Sequence, residues 1–282
     1  MRVTVLAATG QLGQALLRRL QAEPDVTVVA VGRDQAKLGA LASVEKRVAD
    51  LDDPAALRPA LADAEIVVSC TNARFVPAIL AALPSNGVQR LVMMGSTRRF
   101  SKVPDATATA VREAEAALAA YPVPSVFLLA TMIYGGGIGV VESLAAQIRR
   151  LPVLPLPGAG ALVQPIHIDD VAACLAAAIR QPEAVGSPIV IAGPRPMRYG
   201  EMVRAVARGR HVRVTVLSVP AFLVRIIAFC AGLVGRTRNL SGSLLRLLED
   251  KAFDISPMRN RLGIKPRAFG SAASSTGHLD SR

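Results

Sequence analysis

The chain opens on an apolar run, Val3-Thr-Val-Leu-Ala-Ala8, that ends in Thr9-Gly10-Gln11-Leu12-Gly13. From Gln14 to Leu20 the pattern becomes that of an amphipathic helix, with leucines against Arg18 and Arg19. The change of period then recurs. Val26–Val31 is a continuous β-branched run, as in a strand buried on both faces of a parallel sheet. Lys46–Ala49, Glu65–Cys70, Arg90–Met94 and Pro124–Leu129 read as four further strands, with helical stretches between them, Pro54–Leu61 and Ala106–Leu118 among these. Alternation of this kind, with right-handed crossovers, predicts an α/β fold with a doubly wound parallel sheet over residues 1–135.

Residues 136–267 predict a small C-terminal substrate lobe interleaved with late core elements. Gly139–Arg150 reads as a helix, and Leu151–Gly158 as an extended, proline-stiffened loop over the active-site mouth. A short strand at Leu162–Ile166 precedes His167 and the helix Val171–Arg180, then come a strand at Pro188–Gly193 and a helix at Tyr199–Val206. His167, Asp169 and Asp170 suit helix capping and loop anchoring better than metal binding. Ala268–Arg282 is rich in Ser, Gly and Ala without periodicity and is expected to be disordered.

A strand, a glycine turn and a helix start aim backbone N–H groups and a positive dipole end at an anion. At the start of a βαβ unit, this arrangement predicts dinucleotide binding. The expected cofactor residues are Ala7, Thr9, Gly10, Gln11, Leu12 and Gly13 in the first turn. Arg33 and Lys37 follow the second strand, Asp50 and Leu51 the third, and Cys70, Thr71 and Asn72 the fourth. Arg33 stands where a dinucleotide fold inspects the adenosine ribose; its forked donors suit a 2′-phosphate, which favours NADP, with NAD as the alternative. Asp34 is a candidate cap for the next helix. Asp50 suits either the adenine amino group or the cap of the helix at Pro54.

These residues resemble the extended and atypical short-chain dehydrogenase/reductases, with their epimerase/dehydratase-like and NmrA-like branches and a respiratory complex I accessory subunit. The likeness rests on the TGQLG turn, Asp50-Leu51-Asp52, Ser96, Met132-Ile-Tyr-Gly135, Gln164–Ala172 and Leu262–Arg267. It implies a Rossmann-like fold and an oxidoreductase or epimerase. Two departures stand out. Ala7 replaces the first glycine of the family's turn, which is tolerable if its φ stays negative. The family's Tyr-x-x-x-Lys pair, in which lysine depresses the tyrosine pKa for proton transfer, is missing. Setting Glu115 on the family's helix glutamate places Thr107 and Val111 at the pair; sliding by one gives Ala108 and Arg112. Ser96 and Tyr134 are the remaining catalytic candidates. Arg98, Arg99 and Lys102 read as a solvated basic loop or an anion site, and Tyr121 as helix-end packing.

At 282 residues and 51% hydrophobic content, the chain has ample material for a core. Cys70, Cys174 and Cys230 have no metal-ligand spacing and are odd in number, which fits a reducing cytoplasm. Met1 leads straight into the first strand, so no cleavable signal is expected. The net charge of +12 is concentrated late in the chain. There the apolar segment Val219–Val234 is bounded by Arg213 and Arg236 and carries Arg225. It reads as a helix packed on the lobe or, through 219–236, as a peripheral contact with anionic lipid. No aromatic residues are interleaved with the basic ones, so nucleic acid is not expected as a partner. Three functions fit: an atypical NADP-dependent oxidoreductase or epimerase-like enzyme acting on a small molecule, a non-catalytic NADP(H) sensor, and a membrane-associated assembly subunit.

Overall fold

The computed structural model describes residues 1–137, 139–151, 153–233 and 238–270. Its first half runs β1 (Arg2–Leu6), α1 (Gln11–Leu20), β2 (Thr27–Gly32), α2 (Gln35–Gly39), β3 (Glu45–Val48), α3 (Pro54–Leu61), β4 (Ile66–Ser69), α4 (Val76–Ala82), β5 (Arg90–Ser96), α5 (Ala106–Ala120) and β6 (Ser125–Ala130). The second half runs β7 (Ile133–Tyr134), α6 (Val140–Arg150), β8 (Val153–Pro157), β9 (Leu162–Val163), β10 (Ile166–His167), α7 (Ile168–Arg180), β11 (Ile189–Ile191), β12 (Met197–Arg198), α8 (Tyr199–Gly209), β13 (Thr215–Val219), α9 (Ala221–Leu233), α10 (Arg238–Arg246) and α11 (Ser256–Leu262).

Seven strands form one parallel sheet in the order β11-β6-β5-β4-β1-β2-β3. The apolar runs are explained by burial on both faces. Val3, Val5, Val28 and Val68 point towards a layer built from α1, α7 and α11, where Leu16, Leu175 and Met258 meet them. Leu6, Val29, Val31 and Val67 point the other way, onto Leu57, Ile79 and Leu118 of α3, α4 and α5. Each such side chain contributes roughly 1.5–3 kcal/mol on burial. The chain order reverses between β1 and β4, and a crevice at such a reversal is where open α/β sheets bind ligands.

The lobe has its own core of Leu144, Ile148, Leu154, Leu156, Met202 and Val203. Its main surprise is β8. The stretch expected to be a proline-stiffened loop is instead a strand paired in parallel with β13, Val153 against Thr215 through Pro157 against Val219. Pro155 and Pro157 lack N–H donors, which a strand with a partner on only one side tolerates. Late elements return to the main sheet: Arg261 on α11 donates to the carbonyls of Glu183, Ala184, Val185 and Ser187. Order continues past Arg267, because Phe269 packs its ring 4.7 Å from that of Tyr134. The rest of the expected disordered tail, 271–282, lies outside the described residues.

Candidate active site

The first turn is shaped by backbone contacts. Ala8 N–H donates to Val31 O at 3.0 Å, Gly10 N–H to Ala7 O at 3.0 Å, and the Gln14 amide to Thr9 O at 2.9 Å. Gly10 begins α1 without a side-chain cap. The opening N–H groups of the helix are therefore left for an anion, which fits a dinucleotide pyrophosphate. Gly13 lies so close to this turn that an added Cβ would sit 2.5 Å from Ala7 O and 2.7 Å from Ala8 Cα. Ala7 does not meet the condition of a negative φ: it sits at +56°, in the left-handed region that favours glycine. An L-residue there costs roughly 1–2 kcal/mol, which the anchored turn absorbs.

The other expected cofactor residues line the carboxyl ends of β2, β3 and β4. Arg33 is exposed just beyond β2. Lys37 lies 3.4 Å from Asp34, whose carboxylate caps α2 through Lys37 N–H. At β3 the two readings of Asp50 separate. Asp53, not Asp50, caps α3 through the N–H groups of Ala55 and Ala56, while Asp50 turns back on Asp52 N–H at 3.1 Å. Leu51 is half-buried beside it. If Arg33 grips a 2′-phosphate, Arg33→Asp should weaken NADPH binding about 10–100-fold and NADH binding by much less. Fluorescence titration with both nucleotides reads this difference, and equal losses would remove the assignment.

Across the switch point lies a cavity of about 250 Å³ bordered by Leu12, Cys70, Thr71, Asn72, Ser96 and Thr107, among others. Met94, Gly95, Val111 and Ile133 complete most of its wall. On α5, Thr107 and Val111 face the cavity, whereas Ala108 is buried and Arg112 is exposed. Neither cavity-facing residue is ionisable near neutral pH. Burial pushes the Cys70 thiol up to about 12, so it remains protonated.

Arg98 organises the hydroxyls here. Its N–H donates to Ser96 Oγ at 3.2 Å, and its Nη1 donates to Thr107 Oγ1 at 3.2 Å. Asp105 holds the guanidinium from 3.5 Å and also pairs with Arg246 at 3.1 Å. Arg99 instead forms an ion pair with Glu115, and Lys102 N–H donates to Glu249 at 2.8 Å. The two arginine side chains of the basic loop are therefore bonded within the protein, whereas Lys102 is exposed and is held through its backbone. Thr107 and Arg98 gained importance only through this geometry; nothing in a nine-residue separation announces it.

Tyr134 is not among the residues bordering this cavity. Its ring lies edge-on to His167 at 5.0 Å and to Phe269, with the hydroxyl buried and without a hydrogen-bond partner among the described residues. Burial, assisted by Asp170, pushes its pKa up to about 12, which disfavours a phenolate. His167 itself caps α7, Nδ1 accepting from Asp169 N–H at 3.2 Å. Asp170 clamps Arg267, accepting from its N–H and Nε at 2.9 Å each. No metal-holding group of side chains occurs among the described residues. These roles are structural, although the cap is His167 and not either aspartate.

The cap has a pH consequence. Burial holds His167 below its ordinary value of 6.5, so as pH falls the unfolded chain takes up this proton first. Its contribution to stability is present above that value and is lost as pH falls towards the depressed folded pKa. Melting temperature should therefore fall more between neutral and mildly acidic pH in the parent than in His167→Asn, which retains a capping oxygen. Parallel melting curves would contradict this.

Known proteins share this architecture. Residues 7–122 match a family model described as NAD(P)H-binding. A stretch of 217 residues is 25% identical to an uncharacterized protein of Mycobacterium tuberculosis strain H37Rv, covering 74% of this chain and 23% of that one. The chain thus spans about a quarter of the length of the curated relatives it matches. An NADPH-dependent quinone oxidoreductase from Escherichia coli, solved with NADPH, is 21% identical with a TM-score of 0.73, covering 96% of this chain and 98% of that one. A nucleoside-diphosphate-sugar epimerase from Staphylococcus aureus is 15% identical with a TM-score of 0.73, covering 97% and 99%. Such likenesses establish a shared Rossmann-like fold.

Proposed function

We propose that this NAD(P)H-binding chain is a reductase that delivers hydride to a conjugated carbonyl acceptor of the quinone class, with NADPH preferred. When bound, NADPH supplies the hydride. The observation that carries this reading is the pair of hydroxyls held by Arg98. Ser96 and Thr107 each accept a hydrogen bond from Arg98, so each retains its own proton for an oxygen in the cavity. Two such donors stabilise the negative charge that collects on the acceptor oxygen.

The acceptor class follows from what the site lacks. Hydride addition to a simple ketone leaves a strongly basic alkoxide, which needs a proton during the step. Addition to a quinone leaves a phenolate-like oxygen, which hydroxyl donors stabilise and water protonates later. The balance is quinone, NADPH and one proton giving hydroquinone and NADP⁺. Thr107 and Val111, where the family resemblance would place tyrosine and lysine, suit the second case. A second cavity of about 490 Å³ in the lobe, bordered by Val140, Leu144, Leu154, Leu156 and Leu247 together with Ser143, Gln147 and Tyr199, is mostly apolar, which supports an apolar acceptor.

The same absence of a proton-transfer pair favours a second reading, an NADP(H) sensor without turnover. Absorbance at 340 nm separates the two, with benzoquinones, naphthoquinones, simple ketones and nucleotide sugars as acceptors. Oxidation of NADPH by quinones alone is the expected result. Tight NADPH binding without oxidation by any acceptor would overturn the reductase and support the sensor.

A further inference from the structure

The apolar segment late in the chain does not bury itself. Of α9, Val224 and Ala228 are buried, one turn apart, and they set the inward face. Phe222, Leu223, Ile226, Ile227 and Phe229 all project into solvent, Phe229 at 69% exposure and Phe222 at 61%. At 100° per residue these five side chains cover the outward side of the helix, with Arg225 at one flank. A helix apolar on nearly every side is ordinarily buried, so this face calls for a cover. Val153 on β8 and Leu217 on β13 are also exposed, and the parallel register places both on the outer face of that ribbon. Val224 and Ala228 are not among the residues of the lobe core, and α9 lies against α10, so packing on the lobe core, one of the two expectations for this segment, does not account for its outward side.

We propose that this face docks the protein onto an anionic lipid surface. Charge identifies the occupant. From Met202 to Leu248 the chain contains eight arginines and no aspartate or glutamate. Arg213 is exposed just before β13, Arg225 flanks the apolar face, and Arg149 and Arg150 are exposed where α6 leads into β8. A basic rim around exposed aromatic and aliphatic side chains is the pattern of a helix lying in the headgroup layer. A second copy would instead set these arginines against one another. With 13 residues, α9 falls short of the roughly 20 that cross a bilayer. No described helix is long and apolar enough to cross a membrane. The inference is independent of the acceptor class.

Flotation of the full chain with phosphatidylcholine vesicles, with and without phosphatidylglycerol, tests it. The protein should float with the anionic vesicles at low salt and separate from them at high salt. Phe229→Glu with Ile226→Glu should reduce this binding more than tenfold, and Arg149→Glu with Arg150→Glu by about fivefold per residue. Retained NADPH binding, read by fluorescence, shows that each variant is folded. Failure of the parent to float, or equal binding to neutral vesicles, would overturn the proposal. A parent dimer that Phe229→Glu dissolves, without flotation of either, would assign the face to a second copy.

Discussion

Thr107→Val is expected to lower kcat/KM for a quinone acceptor by about 10²–10³, the usual effect of deleting one donor to a developing oxyanion. Valine preserves the shape of threonine while removing the only group at this position able to donate a proton-bearing hydrogen bond. Thr107 borders the cavity, and its oxygen already accepts from Arg98 Nη1, so the loss falls on an acceptor inside the cavity. Ser96→Ala should fall in the same range, because Ser96 Oγ is likewise occupied as an acceptor by Arg98 N–H. If both hydroxyls serve one oxygen, the double variant should lose less than the product of the single effects. NADPH affinity, measured separately by fluorescence, should change by no more than a few fold. Unchanged turnover in Thr107→Val would remove the hydroxyl pair from the mechanism.

Gly13→Ala should cost about 3 kcal/mol of stability, at the upper end for an added methyl in a packed interior. The reason is that its Cβ would meet backbone: Ala7 O at 2.5 Å, and Ala8 Cα and O at 2.7 Å. Flexible side chains can swing aside, but this turn is pinned by the Ala8 bond to Val31 and the Gly10 bond to Ala7. The helix must therefore back away from β1, taking its open N–H groups with it. A melting temperature lower by roughly 6–12 °C and a loss of NADPH affinity of more than tenfold are expected together. If stability falls while affinity is unchanged, the α1 N-terminus is not the pyrophosphate site.

Much of the fold was legible because local pattern and tertiary environment agree. Strands buried on both faces must be apolar throughout, and so Val26–Val31, Glu65–Cys70 and Pro124–Leu129 read as strands before any partner is known. The glycine turn was legible for a related reason: Gly10 and Gly13 mark close backbone approach, which sequence records directly as a missing side chain. Where pattern and environment part, reading by pattern stopped short. Pro155 and Pro157 spell a loop, yet β13 supplies a partner from far along the chain, and an edge position tolerates their missing donors. Ala7 would be unstrained at negative φ, but the hydrogen-bonded turn around it holds it at +56°.

The sequence by itself determined the doubly wound sheet, the glycine turn between β1 and α1 and the absence of a tyrosine–lysine pair on α5. Each depends on residue type at local spacing, or on the alternation of short periodic segments. Only the tertiary structure decided which α5 residues face the cavity, that Arg98 reaches Thr107, that His167 caps α7, and that α9 turns its apolar side outward. Those facts depend on the rotation of helices and the reach of side chains between segments distant in sequence. Hydrophobic periodicity fixes that a helix has an apolar face; the position of neighbouring elements fixes whether that face meets protein or solvent.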